Sequence, residues 1–327
     1  MKIRNKERFA TLLAFMVSFT IVGYCADGRT QEKYPMRPIE VIVPFSPGGA
    51  TDLSSRLTSS FMSKKWGVPI NVVNKPGGNT VPACVELYHA AADGYTLLGE
   101  ASSVCYVETV VKKLPFKVLD RTFIAITNVG PQVLFVPASS PYKSLKELAE
   151  EVKKKPENFS WVSRGGADPA DYQIRQFIKE IGVDHLKTRP IMSQGASQAV
   201  TLVAGSHAIL GSGSTSSCLA AIKGGLIRPL ALSGNQRFGD LPDVPTVAEA
   251  GYPSATVDNW MGISGPPKLP AHIVDIWDKG AQQMVKDPEY ISKLKNIGAV
   301  PYYHNSEQMK QMVIETSAEV KRLWRSE

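Results

Sequence analysis

Cysteine is scarce in this chain, with four in 327 residues, too few for a disulfide scaffold. There is no CxxC, no HExxH and no Cys/His cluster, and the five His are scattered. No structural or catalytic zinc site is therefore expected. Nucleotide signatures are missing too: Pro47-Gly48-Gly49-Ala50-Thr51 lacks the Lys-Ser/Thr of a P-loop, and no GxGxxG follows the first predicted strand. Gly195-Ala196-Ser197-Gln198-Ala199 lacks the second glycine of a nucleophile elbow, and no Ser is flanked by a His at a telling spacing. Basic residues do not interleave with aromatics, which argues against a nucleic-acid partner despite a formal charge of +7. After residue 26 no apolar run reaches membrane-spanning length. These absences point to a protein that is not an enzyme and has no cofactor and no metal.

What is present describes a folded, exported chain. Hydrophobic residues make up 43%, too many for disorder, and 327 residues leave room for two domains with their own cores. Lys2, Arg4, Lys6 and Arg8 stand against Glu7, followed by an uncharged stretch over 9–26 with its apolar centre at 12–17. That is the layout of a secretory signal peptide, here 1–26. Cleavage after Cys25 puts Gly23 and Cys25 at the small-residue positions, whereas cleavage after Ala26 puts Tyr24 at one of them. An uncleaved anchor is the alternative, with 18 uncharged residues only just long enough. Val22-Gly23-Tyr24-Cys25 is similar to a lipoprotein box, but the bulky Tyr24 argues against lipidation. Without 1–26 the chain has 301 residues and a charge of +4, interspersed as on a soluble surface. Cys84, Cys105 and Cys218 then remain. Cys84 and Cys105 are spaced to allow a disulfide, and buried free thiols are the other reading.

Strand and helix patterns alternate along the rest. Runs at 39–44, 70–73, 95–99, 133–137, 160–163, 207–210 and 229–233 read as strands. Helices are expected at 53–62, capped by Thr51 or Asp52, and at 80–91, 145–155 (capped by Ser144), 170–181 and 197–204. Another opens at 211–217, and the tail from 270 is mostly helical. Such alternation predicts α/β architecture, each lobe a mostly parallel sheet flanked by helices, with ligands at the carboxyl ends of the strands. Gly/Ser/Thr loops recur there, at 46–52, 76–80, 101–103, 163–168 and 211–217. One such loop is ordinary punctuation; several converging on a cleft make a small-anion site.

Specific motifs then resemble one family throughout. Tyr34-Pro35, Pro38-Ile39 and Val43-Pro44-Phe45-Ser46-Pro47-Gly48-Gly49-Ala50-Thr51-Asp52 resemble the opening of the substrate-binding receptors of tripartite tricarboxylate transporters, the Bug family. Asn74-Lys75-Pro76-Gly77-Gly78, Asp93-Gly94-Tyr95-Thr96-Leu97-Leu98, Lys143-Ser144-Leu145-Lys146-Glu147-Leu148 and Ile222-Lys223-Gly224-Gly225 continue it. So do Leu241-Pro242-Asp243-Val244-Pro245-Thr246-Val247-Ala248-Glu249-Ala250-Gly251 and Trp260-Met261-Gly262.

The resemblance implies a periplasmic receptor with a two-lobed type II periplasmic-binding-protein fold. It would be a monomer that closes on a small carboxylate ligand and delivers it to membrane permease subunits. A ligand-sensing subunit docking on a membrane histidine kinase is the alternative. The lobes are expected at 34–130 plus 229–327 and at 131–228. Implied ligand-binding residues are Phe45, Ser46, Gly48, Gly49, Thr51, Asn79 and Thr80 in the first lobe, with Asp52 as a helix cap. Ser102, Ser163, Asp168, Asp171, Ser212, Ser214 and Trp260 complete the set. The sequence departs from the family at the distal end of the ligand. Ala167-Asp168-Pro169-Ala170-Asp171 stands for Gly-Ser-Ser-Pro-His, Ser193-Gln194-Gly195 for Tyr-Lys-Gly, and Gly213 for a common Asp. Asp168 and Asp171 either cap the helix that follows or face a donor on the ligand.

Overall fold

The computed structural model describes residues 33–166, 168–234 and 237–324. The expected signal peptide lies outside the described residues. Met36 closes a separate N-terminal unit, and the fold concerns the compact unit Arg37–Glu327.

β1 (Ile39–Val43) is IEVIV, β-branched and almost wholly buried, as suits an interior strand covered on both faces. It pairs in parallel with β2 (Ile70–Asn74) and β3 (Thr96–Ala101). Between β1 and β2 runs α1 (Ala50–Trp66), closed by Gly67 in the left-handed conformation. The buried face of α1 carries Ser54, Ser55, Thr58 and Ser59. These small side chains let the helix lie close on the sheet, where a Cβ on Gly99 would meet Ser55 Oγ at 2.2 Å.

The chain reaches α2 (Val81–His89) and a short α3 (Val107–Val110), then β4 (Thr122–Val129). It next builds a second group of strands. β5 (Gln132–Pro137) lies between β8 (Gly211–Ser214) and β9 (Ile227–Leu232), while β6 (Ser160–Ser163) pairs in parallel with β7 (Arg189–Met192). Trp161 also bridges Leu210 in parallel, setting β6 beside the start of β8. The helices here are α4 (Leu145–Lys154), α5 (Pro169–Glu180), α6 (Ala196–Ala204) and α7 (Thr215–Lys223).

After Leu232 the chain returns to the first sheet. β10 (Trp260–Gly265) inserts antiparallel between β3 and β4, and β11 (Val300–His304) adds outside β4. The first sheet thus has the order β11-β4-β10-β3-β1-β2. α8 (Ala271–Met284), α9 (Pro288–Asn296) and α10 (Ser306–Trp324) complete the fold.

Two expectations are corrected. The architecture is α/β as expected, but rather than mostly parallel the six-stranded sheet is mixed, because β10 and β11 pair antiparallel. β8-β5-β9 is antiparallel throughout, while β6 and β7 by themselves form a parallel pair. The segment 211–214, expected to open a helix, is strand β8. Phe135 covers one of its faces, where a Cβ on Gly211 or Gly213 would come within 2.6 Å or 3.6 Å of that ring. A strand made of Gly and Ser is held by that close approach rather than by β-propensity. β9 pairs with β5 through Leu232, and the chain leaves that sheet beyond this residue.

Two pairs of hydrogen bonds tie the crossings together. Gly130 N–H donates to the Asn259 carbonyl at 3.1 Å and Asn259 Nδ2 to the Gly130 carbonyl at 3.2 Å. Gln132 N–H donates to Ser233 Oγ at 2.8 Å and Ser233 N–H to the Gln132 carbonyl at 2.7 Å. Cys84, Cys105 and Cys218 are buried free thiols, which settles the open question in favour of no disulfide. Burial pushes the Cys218 thiol up to about 12, outweighing the opposing pull of Arg164, so it stays protonated and inert.

Candidate functional site

The strand-end loops converge on a cleft of two compartments, with about 520 Å³ and 540 Å³ of empty space, part of it open solvent. The first is lined by the N-terminal residues of four helices: Gly49, Ala50 and Thr51 of α1, Asp168 and Pro169 of α5, Gly195, Ala196 and Ser197 of α6, and Ser214 of α7. α1, α6 and α7 have no side-chain cap, with Gly49, Gly195 and Ser214 at the capping positions. Each helix start carries roughly half a positive charge and unpaired N–H groups, so four together favour an anion.

The first loop is braced from behind. Asp52, expected as the helix cap, instead sits in the first turn and reaches back: its carboxylate accepts from Gly48 N–H at 2.9 Å. It also accepts from Arg56 Nε at 3.0 Å and Asn74 Nδ2 at 2.9 Å. Gly48 has φ +78°, a conformation that a side chain would strain, and the turn exposes the α1 start to the cleft. Burial alone would push the Asp52 carboxyl up, but these three hydrogen bonds and the Arg56 charge bring it below its ordinary 3.8. Its stabilisation is therefore complete above pH 3.8 and is lost as pH falls through the lower folded value. Asp52→Asn should be less stable than the parent by a constant amount at neutral pH, and the gap should shrink below about pH 4. Urea titrations across that range check this; a gap that widens in acid would refute it.

Asn79 (φ 51°) and Thr80 (φ 69°) line the second compartment in left-handed backbone, which is a strained state for a β-branched residue. Loops from the two groups of strands touch here. A Cβ on Gly195 would lie 3.6 Å from Ser46 Oγ, and one on Gly165 would lie 3.5 Å from Asn79 Oδ1.

Phe45, Ser46, Gly49, Thr51, Asn79, Thr80, Ser102, Asp168 and Ser214 all line the cleft. Ser102 is 1% exposed, and its Oγ has no hydrogen-bond partner among the described residues. Gln132 Oε1 in the first compartment and Ser193 Oγ in the second share that state. Gly48, Ser163, Asp171, Ser212 and Trp260 are not among the lining residues. Ser163 Oγ donates to the Asp171 carboxylate, and Ser212 Oγ donates to Gln173 Oε1 at 2.7 Å. Trp260, the first residue of β10, is buried in the hydrophobic cluster that contains Tyr106, Phe123 and Met309.

The two acids of the departing segment have different roles. Asp168 caps α5, accepting the Asp171 N–H at 2.9 Å, and also faces the cleft. Asp171 accepts from Ser163 Oγ, from Arg164 N–H at 2.8 Å and from Arg175 Nε at 2.7 Å. Arg164, absent from the expected set, lines both compartments and pairs with Asp168. A cation placed directly after a strand end in a Gly-rich loop was the signal that could have found it. At Gly213 a Cβ would lie 3.0 Å from Cys218 Sγ, a tight contact that any side chain there would have to relieve by a small shift of its neighbour.

An α/β fold with two strand groups, two crossings and a cleft at the strand ends defines the periplasmic-binding class. The fold is shared with "Structure of a periplasmic transporter" (TM-score 0.85, 29% identity, 90% of this chain and 98% of that one). It is also shared with MatC from Rhodopseudomonas palustris with bound malate (TM-score 0.82, 24% identity, 89% and 100%). The Bordetella pertussis protein BugT is 26% identical over 306 residues, 92% of this chain and 93% of the relative. Residues 55–326 match the tripartite tricarboxylate transporter family receptor, and the chain belongs to that family of periplasmic solute-binding receptors.

Proposed function

We propose that the protein is an exported, monomeric receptor that captures a small carboxylate between two lobes and hands it to a membrane permease. The lobes are the part built on the six-stranded sheet and the part built on β5 to β9, exchanged at 130–131 and between 232 and 260. The signal peptide at 1–26 would deliver it to the periplasm. The carrying observation is the convergence of four helix N-termini, three without a side-chain cap, around the buried, unpartnered Ser102 hydroxyl. Fold relatives that hold malate or adipate support the same chemistry. Capture would be a hinge motion about the zipped crossings, with affinity coming from contacts that both lobes share only when shut.

Mass spectrometry of ligand carried through native purification tests the reading directly; an uncharged ligand, or turnover of the bound compound, would sink it. Ser102→Ala provides a second test with two signs. A buried hydroxyl left unpaired costs about 1–3 kcal/mol, so its removal should leave the unliganded protein as stable as before or more so. Affinity for the co-purified ligand should fall about tenfold or more, roughly 1.4 kcal/mol, by calorimetry. Unchanged affinity would place the ligand elsewhere.

A further inference from the structure

The cleft's charge inventory is short. Among the described residues lining its two compartments, Arg164 and Asp168 are the only ionisable ones, and they pair with each other. Neither is free to turn towards a ligand alone. One Asp168 oxygen holds the first turn of α5 through the Asp171 N–H, and the other accepts from Arg164. The second terminal nitrogen of Arg164 donates to the Ser212 carbonyl at 3.0 Å, and its backbone N–H is fixed on Asp171. Asp168 is 4% exposed, so a guanidinium that left it would leave a buried charge without compensation.

We infer that the Arg164–Asp168 pair makes this cleft selective for anions carrying one negative charge, whose far end is an uncharged hydrogen-bonding group. The inference rests on the carboxylate reading above and narrows it. One ligand carboxylate is stabilised by the helix N-termini. A second would approach the Asp168 carboxylate while the single lining cation is already committed, and like charges repel strongly in a closed, partly dry cleft. Apart from Ser102, which belongs to the proposed carboxylate grip, the unpartnered groups of the cleft are neutral: Gln132 Oε1 in the first compartment and Ser193 Oγ in the second. A carboxylate only accepts hydrogen bonds and cannot satisfy the Gln132 oxygen, whereas an amide or hydroxyl can. Burial pushes the Asp168 carboxyl up, with the Arg164 charge pulling it back and Asp171 adding to the rise. That site resists further negative charge.

The test is a calorimetric series on the full mature protein: the dicarboxylates malonate to adipate, their half-amides and their diamides. At the best chain length the half-amide should bind about tenfold or more tightly than the dicarboxylate. Asp168→Asn can still cap α5 and releases Arg164, so it should shrink or invert that ratio about tenfold. Arg164→Gln leaves Asp168 unneutralised and should widen it, which keeps the inference testable if the first variant folds poorly. A parent that prefers the dicarboxylate, or a ratio unmoved in the variants, overturns the single-charge inference while leaving the carboxylate reading standing. Diamides binding as tightly as half-amides, or no binding anywhere in the series at millimolar concentration, overturn both.

Discussion

Arg121→Ala should destabilise the protein by about 3–5 kcal/mol in urea denaturation. Arg121 and Glu100 pair in the interior of the first sheet, with side-chain exposures of 1% and 4%. Ser264 Oγ donates to the same Glu100 carboxylate at 2.8 Å, and the rings of Tyr88 and Phe116 lie 5.7 Å and 5.8 Å from the guanidinium. Burial would push the Arg121 cation towards neutrality, but the Glu100 charge together with Cys84 and Tyr88 outweighs it, so the guanidinium stays charged. Removing one partner leaves the other as an uncompensated buried charge, which is where the large loss arises. Glu100→Leu with Arg121→Leu removes both charges and should recover most of the loss, since apolar replacement of a whole buried pair is often close to neutral. Glu100 directly precedes Ala101 and Ser102, so the single variant should also weaken ligand binding. A loss below about 1 kcal/mol, or a double variant as unstable as the single one, would refute this account.

Asp171→Ala is expected to lower stability by about 3–5 kcal/mol as well, and to loosen the Arg164 loop. The carboxylate is 1% exposed and closes a bracket made of Ser163, the Arg164 backbone and Arg175. Its removal strips the Arg175 guanidinium, which lies 5.6 Å from the Trp161 ring, of its carboxylate partner. It also frees the Arg164 N–H, so Arg164 and Asp168 would lose their register in the cleft. Asp171→Asn keeps part of the bracket and should fall between parent and Ala variant. Melting temperature and ligand affinity should move together across the three proteins; an Ala variant that melts like the parent would show that Asp171 faces the ligand instead of bracing the loop.

Local chemistry explains what was legible in advance. β1 announces itself as a β-branched run and β5 as a short apolar one, and Ser144 and Asp168 occupy the caps that their side chains favour. The Gly/Ser loops at 46–51, 79–80, 102 and 214 reached the cleft because a short loop after a strand in this architecture has one end of the sheet to lie on. β10 was not legible as the strand between β3 and β4, because its partners lie more than 130 residues away in the chain. β8 was hidden for a related reason: Gly-Ser-Gly-Ser has no strand propensity, and only the Phe135 ring across the sheet requires it.

The amino-acid sequence by itself determined the α/β class, the family and the set of strand-end loops, because each rests on residues adjacent in the chain. Tertiary structure alone decided what the charged groups do. Asp168 and Asp171 are three residues apart and chemically identical. Asp168 faces the cleft beside Arg164, while Asp171 is closed off by Ser163 and Arg175. Which carboxylate meets the cleft depends on the packing of α5 against β6 and β8, and a charge's role follows from its neighbours in space, which spacing along the chain does not record.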